Sequence, residues 1–170
     1  TTVVVAGPGL GRSVWAQGLW TAVLESPLPL VLDADALNLV AGEPLARGHW
    51  ILTPHPGEAS RVQDSTIAAI QQDRLAAVQA LQARWGGTVV LKGAGTLVCA
   101  DAALPVICST GNPGMATAGT GDVLSGIAGA LVAQGLSLAD AARAAVTLHG
   151  AAGDRASRQG ERGRLARDLI

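Results

Sequence analysis

Residues 110–124 read TGNPGMATAGTGDVL, a glycine-rich loop that runs directly into an apolar helical segment. Such a loop exposes several backbone N–H groups at a helix start, where the positive end of the helix dipole also attracts anions. Glycines let a phosphate approach without a Cβ in the way. The stretch therefore predicts a phosphate-binding loop at the amino terminus of a helix.

On either side of this loop the sequence has the pattern of an α/β fold. Short apolar runs bounded by Gly and Pro alternate with helical segments, which is typical of a parallel sheet covered on both faces. Two alanine-rich helices follow the last strand and should pack on the sheet, the second opened by Ser137 with Asp140 as its capping-box partner. The predicted strands are 3–6, 29–33, 50–53, 88–92, 97–100 and 105–108, and the predicted helices are 13–25, 34–40, a long one ending at Trp85, 121–134 and 138 to about 157.

The composition is that of one globular domain without a polyanion-binding face. A chain of 170 residues with 49% hydrophobic and 15% charged residues can bury one sizeable core. Its net charge of -1 and the lack of a Lys/Arg run exclude a broad nucleic-acid or anionic-membrane surface. The chain has no Phe or Tyr, so aromatic stacking cannot be its general device for holding a base.

The apolar pattern and the cysteines favour a soluble, cytoplasmic protein. No apolar run reaches the roughly 18 residues of a membrane span, and residues 1–6 lack the basic flank of a signal peptide. We expect Cys99 and Cys108 to be small core residues in a reducing compartment. Residues 143–170 carry six basic and three acidic side chains, which we interpret as a solvated face rather than a phosphate or partner patch.

Asp122 is the unusual residue of the glycine-rich loop. A carboxylate beside an anion site costs electrostatic energy, and a catalytic role would justify it. A general base there could take the proton of a hydroxyl that attacks phosphorus in line. Alternatively, Asp122 caps the helix, a common role for Asp in a first turn. The spacing alone leaves both interpretations open.

Two further loops follow predicted strands. The sequence GPGLG at 7–11 lies where ligands approach an open α/β sheet, but it lacks the GxGxxG spacing of a dinucleotide site. Asp33 and Asp35 follow the second strand, where they could hold Mg²⁺ through water or cap the next helix. We favour a site role for Asp33.

His55 and Lys92 also follow strands. His55 lies between two prolines and close to Glu58, and this stiff, loop-borne position favours substrate contact. Lys92 is the only lysine and precedes a Gly turn that joins two strands of a predicted hairpin. It could hold a polyphosphate or simply be solvated. His49, His149 and the four Trp lack such context, and we assign them to the surface or the core.

Five motifs in a fixed order resemble those of one enzyme family. They are GPGLG at 7–11, DADALN at 33–38, TPHPGE at 53–58, LKGAGT at 91–96 and GNPGMATAGTGDVLSG at 111–126. Over nearly the whole chain they resemble the ADP/ATP-dependent NAD(P)H-hydrate dehydratases, the carboxyl-terminal half of the YjeF-type nicotinamide-nucleotide repair proteins. The resemblance implies a ribokinase-like fold, a three-layer αβα sandwich with a mostly parallel central sheet.

The resemblance also implies a reaction and the ligands that it needs. A carbon–oxygen lyase of this family dehydrates the S epimer of hydrated NADH or NADPH (NADHX or NADPHX) with ADP or ATP and Mg²⁺. The ring hydroxyl would be phosphorylated and phosphate then eliminated, with loss of a neighbouring C–H proton. Residues 1–170 would be the carboxyl-terminal part of a single domain, without the amino-terminal part of the fold. We expect a homo-oligomer and an epimerase domain outside this chain.

Carried over residue by residue, the resemblance implies three groups of site residues. Asp122 would be the catalytic base. The substrate would contact Gly9, Gly11, Asp33, His55, Pro56, Gly57, Glu58 and Asp122. The nucleotide would contact Lys92, Gly93, Ala94, Gly95, Thr96, Asn112, Gly114, Met115, Gly119, Thr120 and Gly121.

Two other functions fit the same anion loop and Asp122. One is a ribokinase-fold kinase of a vitamin precursor, a hydroxymethylpyrimidine or a hydroxyethylthiazole. The other is a nucleotide-binding fragment without catalytic activity. The motifs at 33–38 and 53–58 favour the dehydratase over the kinase.

Overall fold

The chain has an α/β fold built on one mixed sheet. The computed structural model describes residues 2–41, 46–101, 104–160 and 162–170. Six strands within these residues lie in the sheet in the same order as in the sequence. The first four pair in parallel, whereas β5 pairs antiparallel with β4 and β6 pairs antiparallel with β5. The strands are β1 Val4–Ala6, β2 Leu30–Leu32, β3 Trp50–Leu52, β4 Thr88–Leu91, β5 Leu97–Ala100 and β6 Val106–Ile107. All six lie within the predicted ranges, and the mostly parallel sheet is confirmed.

Seven α-helices accompany these strands in the described residues. They are α1 Val14–Glu25, α2 Ala34–Val40, α3 Pro56–Val62, α4 Ile67–Gln72, α5 Arg74–Trp85, α6 Thr120–Ala133 and α7 Leu138–Ala156. A helix ends at Trp85 as predicted, and it begins at Arg74; the two short helices before it, α3 and α4, were not predicted. The side chains of Thr66 and Asp73 accept hydrogen bonds from first-turn N–H groups and so begin α4 and α5. Within the described residues, none of the helices has the length and apolar character needed to cross a bilayer.

The helices cover both faces of the sheet, as the sequence predicted. Successive residues of a strand point to opposite faces, and every residue of β2 and β3 is buried. Leu30 and Leu32 pack with α1 to α5 in one apolar cluster, while Val31 packs with α6 and α7 in another. Cys99 belongs to the first cluster and Cys108 to the second, and both are buried thiols. The helix pair α6 and α7 therefore forms a layer of its own.

The parallel strands bring the loops that follow them to one edge of the sheet. The N–H of Asp33 donates to the Ala6 carbonyl, and the N–H of Lys92 donates to the Pro54 carbonyl. Gly7 has φ +136°, and a Cβ there would lie 1.7 Å from the Asp33 carbonyl oxygen, so only glycine fits. Four motifs that are far apart in the sequence thus meet at the carboxyl ends of β1, β2, β3 and β4.

The other side of β1 has no strand partner among the described residues. Val5 is exposed there, and Trp15 on the neighbouring helix α1 is 67% exposed. The other three Trp residues are buried in the core.

Candidate active site

A cavity of about 900 Å³ opens at the carboxyl-end edge of the sheet. Its walls are the ends of β2 and β4, the start of α3, the β4–β5 turn, most of residues 107–122 and the middle of α7. This volume is that of a small-molecule or nucleotide pocket. Most of the predicted site residues line it: Asp33, His55, Pro56, Glu58, Lys92, Gly93, Ala94, Gly95, Thr96, Asn112, Met115, Gly119, Thr120, Gly121 and Asp122.

The amino terminus of α6 opens into this cavity without a side-chain cap. Gly119, its N-cap residue, has the left-handed φ of 87°, and no side chain hydrogen-bonds to the first turn from the cap position. The N–H groups of a first helical turn have no acceptor within the helix. The Thr120 hydroxyl donates to the Met115 carbonyl at 3.0 Å and so ties the loop to the helix start. The geometry is that of an anion site.

Asp122 is the third residue of α6 and is exposed on the cavity wall. No hydrogen bond or ion pair of its carboxylate occurs within the described part of the chain. It therefore does not act as a hydrogen-bonding cap, which leaves the carboxylate available to a ligand. The arrangement is compatible with a general base beside a phosphate site.

Lys92 and Asp33 form an ion pair directly beneath the first turn of α6. Lys92 Nζ lies 2.6 Å from Asp33 Oδ1, and the Ser125 hydroxyl donates to Asp33 Oδ2 at 2.9 Å. A Cβ on Gly121 would lie 3.2 Å from Lys92 Nζ, so glycine at this position lets the helix backbone approach the pair. Lys92 is thus turned inward, although it still lines the cavity.

Lys92 determines the ionisation of Asp33, which is 1% exposed. Burial by itself raises the pKa of Asp33, but the Lys92 charge and the hydrogen bonds from Lys92 and Ser125 outweigh it. The net result is a pKa of Asp33 below its ordinary value. The buried carboxylate is therefore charged at neutral pH because Lys92 neutralises it.

His55 and Glu58 form a reciprocal cap at the start of α3. His55 Nδ1 accepts from the N–H groups of Gly57 and Glu58 at 3.0 and 3.3 Å, and Glu58 Oε2 accepts from the His55 N–H at 2.8 Å. Because Nδ1 is an acceptor, these hydrogen bonds assign the proton of a neutral ring to Nε2. His55 can therefore offer a donor to a ligand in the cavity.

Glu58 extends the ion pair of Lys92 toward His55. Glu58 Oε2 lies 3.7 Å from Lys92 Nζ, and Glu58 Oε1 lies 3.4 Å from His55 Nε2. The carboxylate is 6% exposed. One continuous polar network thus joins Ser125, Asp33, Lys92, Glu58 and His55 along the floor of the cavity.

Four of the predicted site residues lie outside the cavity wall: Gly9, Gly11, Gly57 and Gly114. Gly57 and Gly114 donate their N–H groups to His55 and Asn112 and so shape the loops from behind. The Gly11 N–H donates to Asp35 Oδ2 at 2.8 Å, which fixes the loop after β1.

Asp33 and Asp35 do not form a metal site. Asp35 binds a backbone N–H, Asp33 is paired with Lys92, and neither makes a side-chain cap of α2. The described residues contain no group of three or more His, Cys, Asp or Glu side chains that could hold a metal ion. The donor set does not fit a protein-coordinated Mg²⁺.

Helix α7 holds the loop that precedes α6. Asp154 Oδ2 accepts from the Gly111 N–H at 3.0 Å, and Asp154 Oδ1 accepts from Asn112 Nδ2 at 2.9 Å. The hydrogen bond from Asn112 and the one from Gly111 lower the pKa of Asp154. Asn112 in turn accepts from the Gly114 N–H at 3.1 Å. Sequence analysis did not single out Asp154.

His149, which is also on α7, lines the cavity. Its sequence context had led us to assign it to the surface or the core. Burial lowers the pKa of His149, a hydrogen bond with the Thr120 backbone raises it, and the Lys92 charge lowers it again, with a net decrease. His149 Nε2 is buried without a partner in the described residues. The sequence HGAAGD at 149–154 could have indicated both His149 and Asp154, because it places a His, two Gly and an Asp close together on one helix.

Gly150 sets the distance between α7 and the loop. A Cβ at this position would lie 2.2 Å from Thr110 Oγ1 and 2.8 Å from the Thr110 carbonyl oxygen. We expect Gly150→Ala to lower the free energy of unfolding by about 1–3 kcal/mol and to displace the loop, because backbone cannot move aside as a flexible side chain can. Urea denaturation checks this prediction.

Gly126→Ala is the matched control, since Gly126 also lies within a helix but has open space around it. Alanine there should stabilise the protein by about 0.5–1 kcal/mol. Equal effects of the two substitutions would contradict the close contact at Gly150.

The family model described as NAD(P)H-hydrate dehydratase matches residues 1–170. The bifunctional NAD(P)H-hydrate repair enzyme Nnr of Coxiella burnetii is 57% identical over 170 residues, which cover 99% of this chain and 35% of the relative. The ADP-dependent (S)-NAD(P)H-hydrate dehydratase of Neisseria meningitidis is 48% identical over 158 residues, covering 88% of this chain and 53% of that protein. The chain thus spans about a third to a half of the length of these two relatives.

A solved structure has the same fold over nearly the whole chain. The ADP/ATP-dependent NAD(P)H-hydrate dehydratase of Bacillus subtilis, co-crystallised with ATP and Mg²⁺, superposes with a TM-score of 0.86 at 29% identity, covering 99% of this chain and 61% of that one. A hydroxyethylthiazole kinase from Pyrococcus horikoshii superposes with a TM-score of 0.79 at 21% identity. At that identity the likeness shows a shared fold alone.

Proposed function

Because the chain belongs to the NAD(P)H-hydrate dehydratase family, whose model matches residues 1–170, we propose that it takes part in ADP- or ATP-dependent dehydration of (S)-NADHX or (S)-NADPHX. The product would be NADH or NADPH. The observation that carries this proposal is the uncapped amino terminus of α6, with the free carboxylate of Asp122 beside it and the Lys92–Asp33 pair beneath it. These groups can bind a phosphate and activate a hydroxyl at the same place.

The first-turn N–H groups of α6 would bind the terminal phosphate of the nucleotide. Gly121 lets this turn lie directly on the Lys92–Asp33 pair, since a Cβ there would lie 3.2 Å from Lys92 Nζ. When bound, the nucleotide supplies the phosphoryl group that converts the ring hydroxyl into a leaving group. Donors fixed before the reaction stabilise charge that develops on a transferred phosphoryl group.

Asp122 would take the proton of the ring hydroxyl as its oxygen attacks phosphorus. The bond between the ring carbon and the phosphate oxygen then breaks as the ring nitrogen donates its lone pair, phosphate leaves, and loss of a C–H proton restores the dihydropyridine. His55, whose Nε2 carries the ring proton, would donate a hydrogen bond to the substrate from the opposite end of the polar network. Lys92 would hold Asp33 charged and keep the floor of the cavity rigid.

Matching this chain to the motifs of the family assigns different parts of the cavity wall to the two ligands. The β4–β5 turn, residues 92–96, and the loop before α6 would contact the nucleotide, while the His55 loop would contact the hydrate. Gly9 and Gly11 would act through the loop that Asp35 fixes rather than from the cavity wall. Mg²⁺ would arrive with the nucleotide phosphates, since the residues that the structure describes hold no group of three or more His, Cys, Asp or Glu side chains for it.

Three wider properties belong to the same proposal. The NAD(P)H-hydrate repair enzyme of Coxiella burnetii is named bifunctional, and this chain covers 35% of it, which supports an epimerase partner domain. The uncovered β1 edge supports a homo-oligomer or another strand partner at that edge. A cytoplasmic location agrees with the two buried thiols.

The proposal is tested by incubating the 170-residue chain with (S)-NADHX, ADP and Mg²⁺. We expect the dihydropyridine absorbance to appear together with AMP and phosphate in equal amounts. ADP binding by calorimetry without turnover would instead identify a nucleotide-binding fragment. A phosphorylated hydroxyethylthiazole or hydroxymethylpyrimidine as the only product would identify a kinase.

A further inference from the structure

Arg74, the first residue of α5, hydrogen-bonds to the turn that joins β4 and β5. Its Nη2 donates to the carbonyl oxygens of Leu91, Lys92 and Gly95 at 3.2, 3.4 and 3.3 Å. Its Nη1 lies 3.3 Å from Gln71 Oε1. No carboxylate pairs with this guanidinium among the described residues. Its charge is therefore balanced mainly by the carbonyl dipoles of one turn.

These contacts fix the direction of the peptide groups in the turn. The described residues contain no cis peptide bond, and a trans peptide carries its carbonyl and the next N–H on opposite sides. Since the Lys92 and Gly95 carbonyls point to Arg74, the N–H groups of Gly93 and Thr96 point away from it. Residues 92–96 line the cavity, whereas Arg74 lies behind them and is not among the residues of its wall.

Gly93 shows how closely the turn and the guanidinium fit. A Cβ on Gly93 would lie 2.3 Å from Arg74 Nη1, and φ at Gly93 is +140°. The conformation that glycine permits here is thus the one that lets Arg74 reach three carbonyl groups.

We propose that Arg74 is a positioning residue for nucleotide binding: by holding the carbonyls of the β4–β5 turn, it directs the N–H groups of Gly93 and Thr96 into the cavity. The proposal rests on the proposed function, in which this turn contacts the adenine nucleotide. The guanidinium also places a positive charge behind the turn, which favours an anionic ligand on the other side. Neither effect requires Arg74 to touch the ligand.

Calorimetric titration of the 170-residue chain with ADP tests this role. We expect Arg74→Ala to weaken ADP binding about tenfold, as for loss of a charged hydrogen-bond donor, while the melting temperature falls only slightly. Arg74→Lys should weaken it as well, because the lysine side chain is shorter and its ammonium would not reach the position from which Nη2 contacts the three carbonyls. Arg84→Ala is the control: Arg84 lies on the same helix, stacked over Trp85, and its loss should leave ADP binding unchanged.

The Gly93→Ala variant separates positioning from general stability. Alone it should weaken ADP binding, because the methyl group displaces the guanidinium. In the Arg74→Ala background its additional effect should be smaller, because the guanidinium that an added Cβ would meet at 2.3 Å is absent and only the strain of alanine at φ +140° remains. A merely structural role would lower the melting temperature of each variant without this coupling in ADP affinity.

The outcomes distinguish this inference from the proposed function. Unchanged ADP affinity in both Arg74 variants would overturn the positioning role and leave the dehydratase proposal standing. Weakened ADP binding together with no (S)-NADHX turnover by the unchanged chain would support Arg74 and reject the dehydratase activity of this chain. Absence of any ADP binding by the unchanged chain would overturn the inference. Should Arg74→Ala not fold, Arg74→Lys and Gly93→Ala decide.

Discussion

Asp122→Asn is expected to bind ADP normally and to lose dehydration turnover by a factor of about 10²–10⁴, the usual contribution of a general base. The amide keeps the size of the carboxylate but cannot accept the hydroxyl proton. Since no hydrogen bond or ion pair of Asp122 occurs in the described structure, the substitution should leave the fold unchanged. Turnover of (S)-NADHX and calorimetric ADP binding measure the two effects separately.

Asp140→Asn provides the matched control. Asp140 occupies in α7 the same third position that Asp122 occupies in α6, and it is exposed away from the cavity. Its substitution should leave turnover unchanged. Normal turnover of Asp122→Asn would show that Asp122 is not the base. Equal losses of turnover in the two variants would point to the lost interaction between a first-turn carboxylate and the helix dipole rather than to proton transfer.

Lys92→Met is expected to lower the free energy of unfolding by about 3–5 kcal/mol, because it leaves the buried Asp33 carboxylate without its counter-charge. Asp33 is 1% exposed, and the Ser125 hydroxyl would remain as its side-chain donor. ADP binding should weaken too, since the network under α6 loosens. Urea denaturation at neutral pH measures the loss of stability.

The pH dependence and a second substitution identify the cause. In the unchanged protein the lowered pKa of Asp33 contributes stability that is complete above the ordinary Asp pKa and is lost as the pH falls through the folded value. Without Lys92, burial dominates and raises the pKa of Asp33, so the variant should lose less stability on acidification than the unchanged protein. Asp33→Asn in the Lys92→Met background should recover much of the loss. A double variant as unstable as Lys92→Met would contradict this explanation.

The sequence was most informative where structure depends on neighbouring residues. Apolar runs bounded by Gly and Pro predicted all six strands, and the glycine-rich loop predicted a helix start with exposed N–H groups, because both signals are local. The short helices α3 and α4 and the start of α5 were missed, although the caps at Thr66 and Asp73 are local signals as well. Their polar side chains are common in helix interiors and loops, so they are weak indicators by themselves.

Contacts between distant residues could not be predicted in this way. Lys92 was interpreted as a ligand for a polyphosphate or as a solvated charge, but it pairs with Asp33, 59 positions away in the chain. His149 and Asp154 reach the cavity only because α7 packs beside the loop before α6. Arg74 reaches the β4–β5 turn only because α5 packs against β4 and β5. Each of these roles depends on tertiary packing that no single motif specifies.

The strand order has a consequence for synthesis on the ribosome. Each strand pairs with its neighbour in the sequence, so a nascent chain can add to the sheet one βα unit at a time, whereas α6 and α7 emerge last. The nucleotide pocket then closes only when the final helices dock on the finished sheet. Limited proteolysis of ribosome-bound chains of increasing length should show protection of β1–β4 before ADP adds any protection. Simultaneous protection would mean that the whole domain assembles in one step after release.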